Sequence, residues 1–140
     1  MRFLIGQLAE LAHLNPGVHP VPGSPAIVLV VVELQGPNRQ VAAERADLRR
    51  FRVIPRHCPH KRMDLEVEGR LRAREGLVNS TTQEVELACY HARFRWCLET
   101  GESSNPRAGA LLLYRLEVDH DSGHLYAHPV DGEHAGPAVA

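Results

Sequence analysis

The sequence has few of the features that mark specialised classes of protein. Aromatic residues make up only 5% of the 140 residues, so a platform for stacking nucleobases is not expected. The formal net charge is -1, which excludes the strongly basic surface that binds nucleic acid or an anionic membrane. Three cysteines are too few for the disulfide framework of a small secreted domain. The composition therefore indicates an ordinary globular protein with no nucleic-acid partner.

Long hydrophobic runs are also missing. No window holds 18 uninterrupted apolar residues, so no membrane span is predicted. The apolar start of the chain is interrupted by Glu10 and His13, and no small-residue cleavage site comes after it, so no signal peptide is predicted. We therefore expect a cytoplasmic protein with a single domain over residues 1–140, a core from about residue 3 to 130, and a flexible tail over 131–140.

Short strand patterns separated by turn signals recur along the chain. The strongest covers residues 26–33, which are apolar on both faces and predict a central strand. The proline-rich passage over 16–25 favours turns and an edge strand. Residues 7–14 predict one or two helical turns, and the other predicted strands cover 3–6, 51–54, 77–78, 85–88, 93–98, 111–118 and 124–128. The pattern indicates an all-β protein, a small antiparallel β-sandwich or barrel.

Two short pairs of metal-ligand residues organise the rest of the sequence. They are Cys58-Pro59-His60 and Cys89-Tyr90-His91. Thiolate and imidazole are the ligands that a borderline-soft transition metal or an iron–sulfur cluster selects. A fold that brought the two loops together would present two sulfurs and two nitrogens to one centre, so Cys58, His60, Cys89 and His91 are the predicted metal ligands. The third cysteine, Cys97, lies in an alternating segment and is predicted to be a buried core residue.

The residues around these pairs resemble a known family. The run from Arg56 to Lys61 (RHCPHK), with Leu65 downstream, is similar to the first cluster-binding loop of the Rieske-type [2Fe–2S] ferredoxins and Rieske domains. The segment downstream of the second pair is also similar to that family, namely Trp96, Leu98, Thr100-Gly101-Glu102, Pro106 and the closing hairpin over 113–126. The likeness covers about residues 3–130 and implies an antiparallel barrel of Rieske type with two cluster-binding loops.

The resemblance implies a cofactor and a role for each ligand. In a Rieske centre, two cysteines hold one iron of a [2Fe–2S] cluster and two histidines hold the other. Cys58 and Cys89 would bind the inner iron, and His60 and His91 the outer one. Such a protein has no substrate of its own and is a non-catalytic component of an oxidoreductase. It passes single electrons between redox protein partners, such as a reductase and an oxygenase.

The second pair departs from the family by one residue. The family has Cys-x-x-His there, whereas this chain has Cys89-x-His91. If the alignment is anchored downstream on Trp96, Cys89 takes the cysteine position and Ala92 the position of the histidine. If it is anchored on His91, Ala88 takes the cysteine position. The sequence leaves both registers open.

Further departures keep two other hypotheses open. Arg62, and Ala92 or Arg93, stand where the family's loops have glycines, and the 28 residues between the two pairs are more than the family's usual number. The chain could be a clusterless protein of the same fold, like some small subunits of nitrite reductases, with a structural or docking role. It could also bind a single zinc ion through the same four residues.

Overall fold

The computed structural model describes residues 2–32, 47–59, 63–73, 85–89, 94–103 and 109–129. In chain order these residues form β1 (Phe3–Gln7), α1 (Leu8–Leu11), β2 (Gly17–Pro20), β3 (Ile27–Val31), a 3-10 helix (Leu48–Arg50), β4 (Phe51–Pro55), α2 (Leu65–Glu68), β5 (Arg70–Ala73), β6 (Val85–Cys89), β7 (Phe94–Cys97), β8 (Arg115–Val118) and β9 (His124–His128). None of the helices in this described part has the length and apolarity to cross a bilayer.

The strands form three small antiparallel sheets, with orders β1-β9-β8, β2-β3-β4 and β5-β6-β7. Two of the sheets are built from strands that are consecutive in the sequence. The third joins the two ends of the described chain, because Phe3 of β1 pairs with Ala127 of β9. The predicted all-β class is therefore confirmed, and the strands are divided among three sheets.

The central strand β3 separates two hydrophobic cores. All five of its residues are buried. Because successive side chains of a strand point to opposite faces, its even-numbered valines enter one core and its odd-numbered residues enter the other. We name the first the proximal core, formed by Val28, Val30, Val32, Ile54, Cys58, Leu65, Leu87, Trp96, Leu98 and Leu111. The distal core is formed by Ile5, Val21, Ile27, Leu29, Val31, Phe51, Val53, Leu125 and Ala127.

Most of the predicted elements are confirmed. The strong apolar segment is the central strand of its sheet, the proline-rich passage contains the edge strand β2, and β8 and β9 form the predicted terminal hairpin. The predicted strand over 111–118 is shorter, because only Arg115–Val118 pair with β9. The predicted strand at 77–78 and the tail over 131–140 lie outside the described residues.

Two elements have no clear signal in the sequence. Strand β5 carries arginine at positions 70 and 72, and its amino-acid composition does not predict that it pairs with β6. Helix α2 is a single turn that begins after Asp64, whose side chain accepts a hydrogen bond from the Glu66 N–H. Both elements lie between the two predicted ligand pairs in the sequence.

One arginine is buried between the sheets. Arg50 is 5% exposed, and its guanidinium donates hydrogen bonds to the carbonyl oxygens of Ala12 and Leu14 at the end of α1. Its guanidinium carbon also lies 5.6 Å from the centre of the Phe51 ring. The buried charge is therefore stabilised by carbonyl oxygens and a ring face, and it links α1 to β4.

The connection after β7 depends on a glycine. Gly101 has a positive φ of 80°, and its N–H donates to the Cys97 carbonyl. Its own carbonyl accepts the Leu111 N–H at 2.8 Å. A Cβ atom at position 101 would lie only 2.2 Å from the Leu111 carbonyl oxygen. Glycine is therefore required both by the backbone conformation and by the close approach of residue 111.

A matched pair of glycine substitutions separates these two requirements. Gly123 has a similar φ of 78°, but a Cβ there would meet nothing within 4 Å. Gly123→Ala should cost about 1–2 kcal/mol from the left-handed conformation alone. Gly101→Ala should cost about 2–5 kcal/mol, because the backbone clash is added. Urea unfolding measures the loss in free energy of unfolding for each variant. Equal losses would show that the clash with Leu111 is relieved without a further loss of stability.

Candidate metal centre

The first ligand pair lies in a loop that is closed by backbone hydrogen bonds. The Cys58 N–H donates to the Met63 carbonyl at 3.0 Å, and the Leu65 N–H donates to the Arg56 carbonyl at 2.7 Å. His57 and Asp64 form an isolated antiparallel bridge between these two bonds. Residues 56–58 and 63–65 therefore pair with each other, and we call the Cys58 end of this pairing the neck of the first loop.

Burial changes abruptly along this loop. Cys58 is 1% exposed and belongs to the proximal core, whereas His57 and Pro59 on either side of it are exposed. The cysteine is a thiol and forms no disulfide. The loop thus holds a buried thiol among apolar side chains, between two exposed residues.

An ion pair fixes the outside of the loop. The Arg56 guanidinium contacts both carboxylate oxygens of Asp64 at 2.9–3.1 Å and the Glu66 carboxylate at 3.2 Å. The hydrogen bond with Arg56 lowers the pKa of the Asp64 carboxyl below its ordinary value, and the N–H of Glu66 acts in the same direction. The same pair raises the pKa of Arg56. Asp64 therefore stays ionised and joins the two sides of the loop neck.

The second predicted ligand pair begins at the end of a strand. Cys89 is the last residue of β6 and pairs with Phe94, the first residue of β7. Four residues, 90–93, connect the two strands. Two residues before Cys89, Leu87 is fully buried in the proximal core, and it pairs with Trp96. Because residues i and i+2 share a face of a strand, position 89 falls on the same face of β6 as Leu87.

The structure thus places Cys58 and a buried residue of β6 in the same core. Cys58, Leu87 and Trp96 share the proximal core. The predicted ligands His60 and His91 lie outside the described residues. Among the residues that are described, no group of three or more His, Cys, Asp and Glu side chains could hold a metal ion. Cys97, predicted to be a core residue, is buried as expected.

A third segment, at Gly109, lies near the first loop. The Trp96 indole N–H donates to the Gly109 carbonyl at 2.9 Å. A Cβ atom built on Gly109 would lie 3.8 Å from the Pro59 Cβ, between the first two predicted ligands in the sequence. In the sequence, Trp96 stands out only as a point of family resemblance, and this contact has no local signal. The Arg56–Asp64 pair has none either, since the spacing of the two residues matches no helical or strand pattern.

Two comparisons with known proteins find no relative of this chain. No family model matches the chain, and a search of curated proteins finds no significant match.

Removing the charge of Asp64 should make the stability to denaturant vary less with pH in the acid range. Asp64→Asn keeps an oxygen for the Glu66 N–H but loses the ion pair with Arg56. Because the folded-state pKa of Asp64 lies below its ordinary value of 3.8, the pair stabilises the wild type above pH 3.8 and is lost as the pH falls through the lowered value. We expect the wild type to unfold at a higher denaturant concentration than the variant at pH 7, with the difference shrinking below pH 4.

The control is Asp121→Asn, at an exposed position in the β8–β9 turn. It should leave the pH profile of the denaturation midpoint unchanged. If Asp64→Asn and the wild type lost stability in parallel on acidification, the ion pair would not contribute to closing the loop.

Proposed function

We propose that this chain is a Rieske-type electron-transfer protein that holds a [2Fe–2S] cluster on Cys58, His60, Cys89 and His91. The observation that carries the proposal is the convergence of both cysteine-bearing segments on the proximal core. Cys58 is buried there, and β6 enters it through Leu87 and ends at Cys89. Two loops that are separated in the sequence thus have their bases on one buried cluster of side chains.

The arrangement of the first loop suits such a centre. Its cysteine is buried and the next residue, Pro59, is exposed, so the loop spans from the apolar interior to the surface. Cys58 and Cys89 would hold the inner iron as thiolates, and His60 and His91 the outer iron as neutral imidazoles. When bound, a cluster with this ligand set exchanges a single electron at a potential of about −150 to +300 mV. The Arg56–Asp64 pair would keep the loop in place during the exchange.

The proposed partners are redox proteins. The chain would receive one electron from a donor such as a reductase and pass it to an oxygenase or another reductase. The exposed side of the first loop is where a partner would approach, since electron transfer needs the outer ligands near the contact. No organic substrate is required.

The length of the second hairpin supports one alternative. The Cys89–Phe94 pairing leaves four residues between the strands, and His91 is the second of them. The family's spacing would put histidine at the third, where this chain has Ala92. A clusterless protein of the same fold, with a structural or docking role, would have no need of that histidine. A single zinc ion on the same four ligands is the third candidate.

The deciding measurement is the visible absorption spectrum of anaerobically purified protein, with iron, sulfide and zinc assayed on the same sample. We expect a red-brown protein with iron and sulfide in equal amounts, as a [2Fe–2S] cluster requires. His60→Ala should abolish the visible absorption, whereas His120→Ala, at an exposed turn residue, should leave it unchanged. A colourless wild type from cells able to build clusters would contradict the proposal, and bound zinc in it would favour the zinc site.

A second pair of variants tests the register of the second loop. His91→Ala should lose the visible spectrum, because one ligand of the outer iron is removed. Adding Ala92→His to that variant creates the Cys-x-x-His spacing and should restore the spectrum at least in part. An unchanged spectrum in His91→Ala alone would show that His91 is not a ligand.

A further inference from the structure

One arginine joins two of the three sheets. Arg52 lies on β4 opposite Val30 of β3, and its guanidinium reaches the segment that follows β7. Its Nε donates to the Leu98 carbonyl at 2.9 Å, and its Nη2 donates to the Glu99 carboxylate at 2.6 Å. Leu98 is 1% exposed and belongs to the proximal core. The contact therefore runs from the sheet β2-β3-β4 to a buried residue at the end of the sheet β5-β6-β7.

The same guanidinium is also bound to carbonyl oxygens beside its own strand. Its Nη1 donates to the Arg49 carbonyl at 2.6 Å and to the Phe51 carbonyl at 2.9 Å. The Arg52 side chain is only 16% exposed, so water competes little for these bonds. A planar guanidinium holds several acceptors in fixed directions, which an ammonium group does not. Arg52 therefore gives the start of β4 and the end of β7 one defined relative position.

The proximal core by itself does not define that position. Apolar burial is non-directional, so the core holds the two sheets together but leaves a shift of one sheet on the other weakly opposed. A fully satisfied buried polar network specifies one arrangement. Such a shift would matter here, because Cys58 follows β4 and Cys89 ends β6, which pairs with β7.

We propose that Arg52 is a positioning residue that fixes where the sheet β5-β6-β7 lies on the sheet β2-β3-β4, and thereby where Cys89 lies relative to Cys58. Leu98 follows the end of β7, whereas Cys89 pairs with Phe94 at its start. Arg52 therefore acts through the strands and not by touching a ligand. The inference rests on the proposed function only for what the two cysteines bind.

The single tryptophan of the chain reports on this packing. Trp96 is fully buried in the proximal core, two residues before Leu98. Acrylamide reaches such a ring through local opening, and fluorescence lifetimes of the full chain as purified give the rate constant for quenching. In Arg52→Met this rate constant should rise about twofold to tenfold over the wild type in the same metal state, as expected for one net hydrogen bond lost between the sheets.

Two further variants separate the fork of donors from the charge. Arg52→Lys keeps a positive charge beside Glu99 but loses the planar set of donors, so quenching should rise here too. Glu99→Gln removes the negative charge and leaves the Leu98 carbonyl as acceptor, so quenching should stay near the wild-type value. Wild-type quenching in Arg52→Lys would contradict the proposal, because charge alone would then hold the sheets.

Two controls distinguish positioning from general loosening. Arg49→Met removes a neighbouring arginine that pairs with Asp47 on its own 3-10 helix. Val53→Ala weakens the distal core from the residue next to Arg52 and should lower the urea midpoint. Neither control should change the quenching of Trp96. Equal increases in Val53→Ala and Arg52→Met would overturn the proposal, and so would unchanged quenching in Arg52→Met.

A spectroscopic measurement tests the positions of the cysteines. In protein that holds the cluster, the electron paramagnetic resonance lines of the reduced centre should be broader in Arg52→Met than in the wild type, because the ligand positions then vary between molecules. Val53→Ala should keep the wild-type line width. An unchanged width in Arg52→Met would show that the cysteines do not depend on Arg52. Failure of the proposed function is detected separately, by the iron, sulfide and zinc content of the wild type, since quenching is measured whether or not a metal is bound.

Discussion

The structure depends on burying both faces of one short strand. Every residue of β3 is inside the protein, and its alternating side chains supply two cores instead of one. Burying an aliphatic side chain contributes about 1.5–3 kcal/mol, so this segment is among the largest sources of stability in the chain. It also fixes the register of β2 and β4, because a shift by one residue would exchange the side chains that fill the two cores.

The two cores have different roles. The distal core joins β1 and β9 to the central sheet and holds none of the proposed ligands. The proximal core contains Cys58, Leu87 of β6 and Trp96 of β7. Apolar packing therefore places Cys58 and the strand that ends at Cys89 on one core. Arg56 pairs with Asp64 across the neck of the first loop, and Trp96 on β7 donates a hydrogen bond to Gly109.

The sequence predicted the parts of the fold that local patterns determine. The apolar run of β3 indicated a central strand, and the turn before His124 indicated the final hairpin. Of the two predicted cysteine–histidine pairs, the structure describes only the cysteines, with Cys58 at the neck of the first loop and Cys89 at the end of β6. Contacts between distant segments could not be predicted in this way. No local pattern relates Trp96 to Gly109, or assigns the arginine-rich β5 to a sheet, because those contacts arise only once the strands have packed.

The pairing of β1 with β9 affects the order in which the chain can fold during its synthesis. Strand β1 leaves the ribosome long before its partner, His124–His128, which is the last of the described strands. The sheets β2-β3-β4 and β5-β6-β7 use neighbouring strands and are complete much earlier. On a ribosome, the proximal core can therefore assemble while β1 still lacks its partner. The distal core is completed last, when Leu125 and Ala127 of β9 are added to it.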